Sequence, residues 1–315
     1  MSPISSAIGA TSLQTVIQGL ASGSSTGSLI GSKTSGPVGV ESIIEYRSAN
    51  PIYLNVVDWI DTFLVVSING IDGPDMRLNS QPNPGEHGET PGEALFGGRT
   101  LVLTGKQYAQ TVWKLRDMQQ GLRGSFMEIK REYPLIFNAL DPQDDLMVMC
   151  KLADKIQIAD QQTTKNDFVR DFQITLRASN PRFLGVVRNV FDFSSAVASY
   201  NNIALIVKNA GNFQAQTTIE LTGPMTNPTV YNEDNATAAV IAGSIPAGET
   251  WVLENTGPSK RMYRKSDQAN RFTYLDATSM WMLLEPNNRL NHVRLTATGL
   301  ATGWNFRLMY RNTYM

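Results

Sequence analysis

The chain has 315 residues, of which 42% are hydrophobic and 17% are charged. Its 27 Lys and Arg residues nearly balance its 28 Asp and Glu residues, so net charge gives no attraction to nucleic acid or to an anionic membrane. A single cysteine, Cys150, excludes an internal disulfide framework and a Cys-cluster metal site.

The length of the chain predicts two domains with an additional arm. Residues 1–42 are rich in Ser, Gly and Thr, a composition that offers too little apolar surface for folding alone. Scattered Ile and Leu residues suggest that this arm orders against a neighbouring chain, with an unstructured terminus as the alternative. The pattern of a signal peptide or of a membrane span is absent, so we expect synthesis in a cytoplasm.

Strand patterns begin near Ile43 and run through β-branched and aromatic residues to a turn at Asn69-Gly70. Residues 79–98 are rich in Pro and Gly and predict a long protruding loop. Loops of this length are usually functional or contact a partner. The stretch "RTLVLTG", which follows, predicts a short strand.

The clearest predicted helix covers residues 106–124, "KQYAQTVWKLRDMQQGLRG". An apolar stripe at helical spacing indicates that it packs on a sheet, and Gly121 or Gly124 can end it. The stripe consists of Tyr108, Val112, Leu115 and Leu122.

Strands resume after the helix, and the last of them has a clear alternation. In "FQITLRASNPRF", residues 172–183, Phe172, Ile174, Leu176 and Ala178 fall on one face of an extended chain. Pro181 cannot donate to a sheet ladder, so the strand stops before it. The first domain is therefore predicted to cover residues 43–183.

Short strands with turns between them fill residues 184–315, and no helical pattern lies among them. Such spacing predicts an antiparallel β-sandwich as the second domain. The predicted fold class is therefore mainly β, with a β-sandwich or barrel that carries one packed helix, followed by a second sandwich.

The sequence contains little that indicates an enzyme active site. Only His87 and His292 could serve as the histidine of a Ser-His-Asp site. The sequence places His87 in a flexible loop and His292 in a strand. We predict no catalytic residue, no metal site and no cofactor. Trp251 and Glu254 could in principle serve a sugar site, but Trp251 alternates with Leu253, which favours a position in the core.

The order of these motifs resembles the distal tail protein family of long-tailed siphophages. "NGIDGPDMR", "FGGRTLVLTG", the helix and "FQITLRASNPRF" are similar to successive parts of that family's first, or belt, domain. "VKNAGNFQAQTTIELTGPMTNPTVYN", "IPAGETWVLEN" and "MWMLLEPNNRL" resemble its galectin-like carboxy-terminal domain. Where the family has Pro-Gly before the penultimate hairpin, this chain has Pro286-Asn287, and Asn is the next-best residue for a left-handed turn.

The resemblance implies a structural hub of the tail tip. Family members form rings through the belt domain and bind the tail-tube, tape-measure and tip proteins, with DNA passing through the ring. A domain of 140 residues is about 35 Å across, and six such spheres in a ring leave a hole of about the same width. Duplex DNA, about 20 Å wide, fits such a hole.

Contacts between subunits are expected from the arm, from the loop and from Arg99, because a Gly-flanked Arg can approach a neighbour's carboxylate closely. The expected contact residues are Glu86, Glu89, Leu95, Phe96, Gly97, Gly98 and Arg99. Two alternatives remain open from sequence. One is a tail-tube subunit, and the other is an adhesin that binds host glycans through residues 184–315.

Overall fold

The structure is a computed structural model that describes residues 42–56, 61–83, 85, 87, 89–90, 92–138, 144–159, 168–194, 203–256 and 260–315. Strands dominate these residues, which confirms the predicted fold class. The predictions for residues 1–41 lie outside the described part of the chain. Where the structure describes the chain, it has no helix that is long and apolar enough to cross a membrane.

Where the structure describes it, the first half of the chain contains thirteen strands and one helix. The strands are β1 (Ile43–Tyr46), β2 (Ile52–Leu54), β3 (Thr62–Asn69), β4 (Met76–Leu78), β5 (Gln81–Pro82), β6 (Glu89–Thr90), β7 (Ala94–Phe96), β8 (Arg99–Tyr108), β9 (Tyr133–Asn138), β10 (Leu146–Leu152), β11 (Gln157–Ala159), β12 (Val169–Ala178) and β13 (Phe183–Gly185), and the helix is α1 (Val112–Phe126).

Within its described residues, the second half contains twelve strands and one 3-10 turn, Phe272–Tyr274. The strands are β14 (Asn189–Ser194), β15 (Ile203–Lys208), β16 (Ala215–Thr222), β17 (Met225–Asn232), β18 (Thr237–Val240), β19 (Ser244–Ile245), β20 (Thr250–Glu254), β21 (Arg261–Arg264), β22 (Leu283–Leu284), β23 (Leu290–Thr298), β24 (Asn305–Tyr310) and β25 (Thr313–Tyr314).

Nine strands of the first half and β25 form one antiparallel sheet of ten strands, in the order β2-β1-β9-β10-β12-β8-β3, with β11 beside β12 and β13 beside β10 and β25. The two ends of this sheet meet at Asn55. Its backbone N–H donates to the Phe63 carbonyl at 2.7 Å, and its side-chain oxygen accepts from the Val65 N–H at 2.6 Å. The sheet thus closes on itself around its core.

The core of the first half follows the predicted alternation. Phe172, Ile174, Leu176 and Ala178 on β12 are all buried, and they face Leu101 and Leu103 of β8 in the same cluster. β12 ends at Ala178, ahead of Asn180-Pro181, as the sequence predicted.

Helix α1 differs from the prediction at both ends. It begins after Thr111, whose hydroxyl accepts a hydrogen bond from the Lys114 N–H, and it runs through both glycines to Phe126. Tyr108 belongs to β8 instead. The expected stop at Gly121 or Gly124 is wrong because Leu122 and Phe126 are fully buried, and this burial outweighs a helix cost of about 1 kcal/mol per glycine.

The second half is a sandwich of two antiparallel sheets. One has the order β14-β24-β16-β20-β21, with β22 beside β16, and the other has the order β15-β23-β17-β18, with β19 beside β17. A second buried cluster lies between them, with Leu221, Trp251 and Phe306 from the first sheet and Val230 and Val293 from the second. Trp251 is only 3% exposed, so the expectation that it lies in the core is confirmed.

The predicted left-handed turn near residue 287 is also present. Asn287 and Asn288 have φ angles of 62° and 56°. Asparagine tolerates this region better than most residues, which explains how it replaces glycine at this hairpin.

Candidate interaction surface

Two strand pairs lie in the described residues between β3 and β8, where the sequence predicted a long protruding loop at residues 79–98. β4 pairs with β7, with Met76 opposite Phe96 and Leu78 opposite Ala94, and β5 pairs with β6 farther out. We call residues 76–96 the ribbon. A Cβ at Gly92 would lie 1.7 Å from the Asn79 carbonyl oxygen, so only glycine permits this close approach of the strands.

Apolar side chains on the ribbon are exposed. The exposed fractions are 63% for Met76, 73% for Leu78, 57% for Leu95 and 46% for Phe96. Phe96 makes an edge-on contact with Phe213 of the second half, with the ring centroids 6.0 Å apart. Met76, Leu78 and Phe96 lie on one face of the ribbon and Leu95 on the other, and exposed apolar groups of this kind make the ribbon a candidate interaction surface.

The base of the ribbon is buried within the chain. Gly97, Gly98 and Arg99 are all buried, and a Cβ at Gly98 would meet the Ala178 carbonyl oxygen at 2.7 Å. The Gly97 N–H donates to the Asp75 carbonyl at 2.6 Å. These glycines therefore permit close strand packing inside the chain.

Arg99, for which we expected an intersubunit contact, is enclosed by its own chain. It is 0% exposed, and its guanidinium donates to the carbonyls of Pro181 at 2.9 Å, Gly70 at 2.8 Å and Ile71 at 2.5 Å. The guanidinium also lies 4.5 Å from the centre of the Phe183 ring. Burial lowers the pKa of Arg99, while the charge of Asp72 opposes this effect. Enclosed in this way, Arg99 links separate segments of its own chain, and the intersubunit contact expected of it stays a prediction.

The other predicted contact residues divide into two groups. Leu95 and Phe96 are exposed on β7, and Glu89 is exposed on β6. Glu86 lies outside the described residues. The contacts expected of these residues stay a prediction.

Sequence reasoning missed the residues that join the two halves of the chain. Strand β25 pairs with β13, and Tyr314 packs against the core of the first half. Arg311 donates to the carbonyls of Gly185 and Val186, and burial together with the charge of Arg188 lowers its pKa. No local sequence motif predicts these contacts, because the residues that form each contact lie far apart in the sequence.

The outer face of the first sheet of the sandwich carries a row of charges. Lys265 lies 2.8 Å from Glu220, and Arg307 donates through Nε to Asp192 at 2.8 Å. Burial would raise the pKa of Asp192, but hydrogen bonds from Arg307 and Asn305 hold it below its usual value. A groove of about 230 Å³ lies here, lined by Glu220, Thr222, Thr250, Lys265, Asn305 and Arg307.

Helix α1 exposes a second apolar surface at its start. Trp113 is 79% exposed and Val112 is 47% exposed. The guanidinium of Arg116, one turn later, lies 5.8 Å from the centre of the Trp113 ring. In the sequence, this surface lies just after β8, whereas the ribbon lies just before β8.

Comparison with solved structures identifies the architecture. The crystal structure of Dit (gp 19.1) of phage SPP1 aligns with a TM-score of 0.58 at 14% sequence identity, over 80% of this chain and 94% of that protein. This chain has the fold of a distal tail protein. The predicted resemblance to that family is thus confirmed for the fold. SPP1 Dit is a paradigm of the hub adsorption apparatus of phages that infect Gram-positive bacteria.

Two structures of the phage P2 baseplate in its activated conformation, with Ca and with Sr, also align. Each covers 85% of this chain and 96% of the matched chain at 10% identity, with TM-scores of 0.45 and 0.43. These scores are below the level at which a shared fold can be inferred. No protein-family model and no curated protein sequence matches the chain.

Proposed function

We propose that this chain is a structural virion protein that forms a ring between the tail tube and the tail tip of a siphophage. The observation that carries the proposal is the alignment with SPP1 Dit, which extends over 94% of that hub protein and spans both halves of this chain. A fold match alone does not fix a role, so the proposal also draws on the surfaces of the molecule.

The two halves have different roles in this proposal. Residues 43–183 form the ring, six copies surround an axial channel, and residues 184–315 form the outer sandwich. The partners are a second copy of the chain, the tail-tube protein, the tape-measure protein and the tail-tip hub protein. Genomic DNA passes through the channel without specific binding, and the protein binds no membrane. The virion tail tip is its location, after assembly in the host cytoplasm.

The physical argument for assembly rests on the ribbon. Four large apolar side chains on it are between 46% and 73% exposed, although a folded chain gains free energy when such groups leave water. The near-balance of charge also suits a channel, because a lysine- or arginine-rich wall would bind the phosphates of passing DNA.

Electron microscopy of the purified chain and of intact tails tests the proposal. We expect rings with sixfold symmetry from the purified protein, and antibody label at the junction of tube and tip in virions. A chain that stays monomeric by mass photometry, together with label distributed along the whole tube, would contradict it. Labelling along the tube would instead favour a tail-tube subunit.

A further inference from the structure

We propose that the ribbon of one copy packs on the start of helix α1 of the next copy, across Trp113 and Arg116. This inference rests on the proposed ring and names the two surfaces that join its subunits. The same contact repeats around the ring, so each copy offers its ribbon to one neighbour and its helix to the other.

The Phe96 contact with Phe213 supports one end of the ribbon, while Met76 and Leu78 on the same face stay 63% and 73% exposed. The ribbon has two strands, and neither β4 nor β7 pairs with any other strand in the described part of the chain. Met76, Leu78, Ala94 and Phe96 point to one face, because residues opposite each other and two apart share a side. An isolated two-stranded ribbon is marginally stable in water, so a covering surface stabilises it.

Trp113 is a suitable receiving group. Its side chain is the most exposed of the large hydrophobic side chains in the described residues, at 79%. Tryptophan and arginine are enriched among the residues that dominate binding energy, and here Arg116 lies over the Trp113 ring. Val112 extends the same apolar surface.

The charges of the two surfaces are complementary. Glu89 and Glu93 lie on the ribbon, and neither has an ion pair among the residues that the structure describes. Arg116 on the helix likewise has no carboxylate partner among those residues, and its guanidinium lies beside the Trp113 ring. With Arg77 against Glu89 and Glu93, the described residues of the ribbon carry a net charge of −1, and with Lys114 paired to Asp117 the helix start keeps the positive charge of Arg116, so the two surfaces attract each other and contacts of ribbon with ribbon are disfavoured.

The position of the two surfaces explains why the partner is a second copy. The ribbon is attached before Arg99 and the helix follows Tyr108, so the ten residues of β8 separate them. At 3.4 Å per residue this strand spans about 30 Å. Two different surfaces at opposite ends of a strand allow a head-to-tail contact between copies, and such a contact forms a ring when the rotation between copies closes.

A mixing experiment with the full chain tests this contact. Leu78→Glu removes the ribbon surface and Trp113→Glu removes the helix surface, while Ile206→Glu places the same charge at a site in the second half that is 57% exposed. By mass photometry we expect each of the first two variants to reduce the ring fraction by about tenfold or more, and Ile206→Glu to leave it unchanged.

Mixing the two defective variants gives the more specific result. Each retains the surface that the other lacks, so an equal mixture forms pairs with twice the mass of one chain and no larger species. Circular dichroism melts that match the wild type show that the variants are folded.

Full rings from either variant would overturn the inference and leave the proposed ring intact. Pairs formed by Leu78→Glu alone would overturn it as well, because they require a contact between identical surfaces. A wild-type chain without rings, in solution and in tails, would instead contradict the proposed function itself.

Discussion

The ribbon and the three residues that follow it differ sharply, although they are adjacent in sequence. Leu95 and Phe96 are apolar and about half exposed, whereas Arg99 is charged and fully buried. A simple hydrophobicity rule would place them the other way round. The difference teaches that burial here depends on the hydrogen-bond acceptors around a side chain and not on its hydrophobicity alone, and the contacts outside the chain that we propose for the exposed apolar residues stay a prediction.

The cause lies in the carbonyl groups that surround Arg99. The turn after β3 presents the carbonyls of Gly70 and Ile71, and the end of the first half presents that of Pro181. Five N–H donors in a planar fork can satisfy several such acceptors at once, which no apolar side chain can do. Arg99 therefore joins two segments that lie far apart in sequence.

Replacement of this arginine should have the largest effect. We expect Arg99→Ala to lower the free energy of unfolding by about 3 kcal/mol, because three carbonyls lose their donor and a cavity opens beside Phe183. Urea denaturation followed by tryptophan fluorescence measures the change. Arg99→Lys should recover part of the loss.

Arg116→Ala is the matched control, since Arg116 is exposed on α1. We expect this control to change stability by no more than about 0.5 kcal/mol. If both substitutions had the same small effect, the contrast between the buried and the exposed region would be wrong.

Two glycines allow a second, smaller comparison. Gly98→Ala should destabilise the chain by about 2 kcal/mol, because the new Cβ would lie 2.7 Å from the Ala178 carbonyl oxygen. Gly121→Ala should stabilise it by about 0.5–1 kcal/mol, since nothing lies within 4 Å and alanine favours a helix. In thermal melts, we expect a lower melting temperature for Gly98→Ala and a higher one for Gly121→Ala. Shifts of the melting temperature in the same direction would contradict the different roles assigned to the two glycines.

The ribbon itself should tolerate truncation. Leu95→Ala should change the stability of the isolated chain by no more than about 0.5 kcal/mol, because the side chain is already in water. Leu101→Ala, in the core of the same half, should cost about 2–5 kcal/mol. Measured at a concentration where the chain is monomeric, a large loss for Leu95→Ala would mean that the ribbon packs within its own chain.

Much of the fold followed from local sequence patterns. The alternation along β12, the stop before Pro181 and the left-handed turn at Asn287 depend on neighbouring residues, so they could be predicted. The extent of α1 could not, because the burial of Phe126 on Tyr46, with ring centroids 4.2 Å apart, depends on a distant strand.

The candidate surface was less accessible from sequence. Pro and Gly in residues 79–98 indicated a loop, yet pairing of β4 with β7 turned it into a ribbon. The burial of Arg99 depends on carbonyls contributed by other segments, and no local spacing encodes it. Leu95 and Phe96 could be assigned to an exposed segment because their neighbours are turn residues, although that assignment does not identify their partner.

Strand β25 has a consequence for synthesis of the chain. It completes the edge of the first half beside β13, and the Arg311 contact with Gly185 links residues 126 positions apart. The amino-terminal half therefore leaves the ribosome long before β25 is synthesised. The edge of β13 that pairs with β25 stays unpaired while the sandwich is translated. Chaperone binding to nascent chains at this stage would protect the waiting edge from premature association.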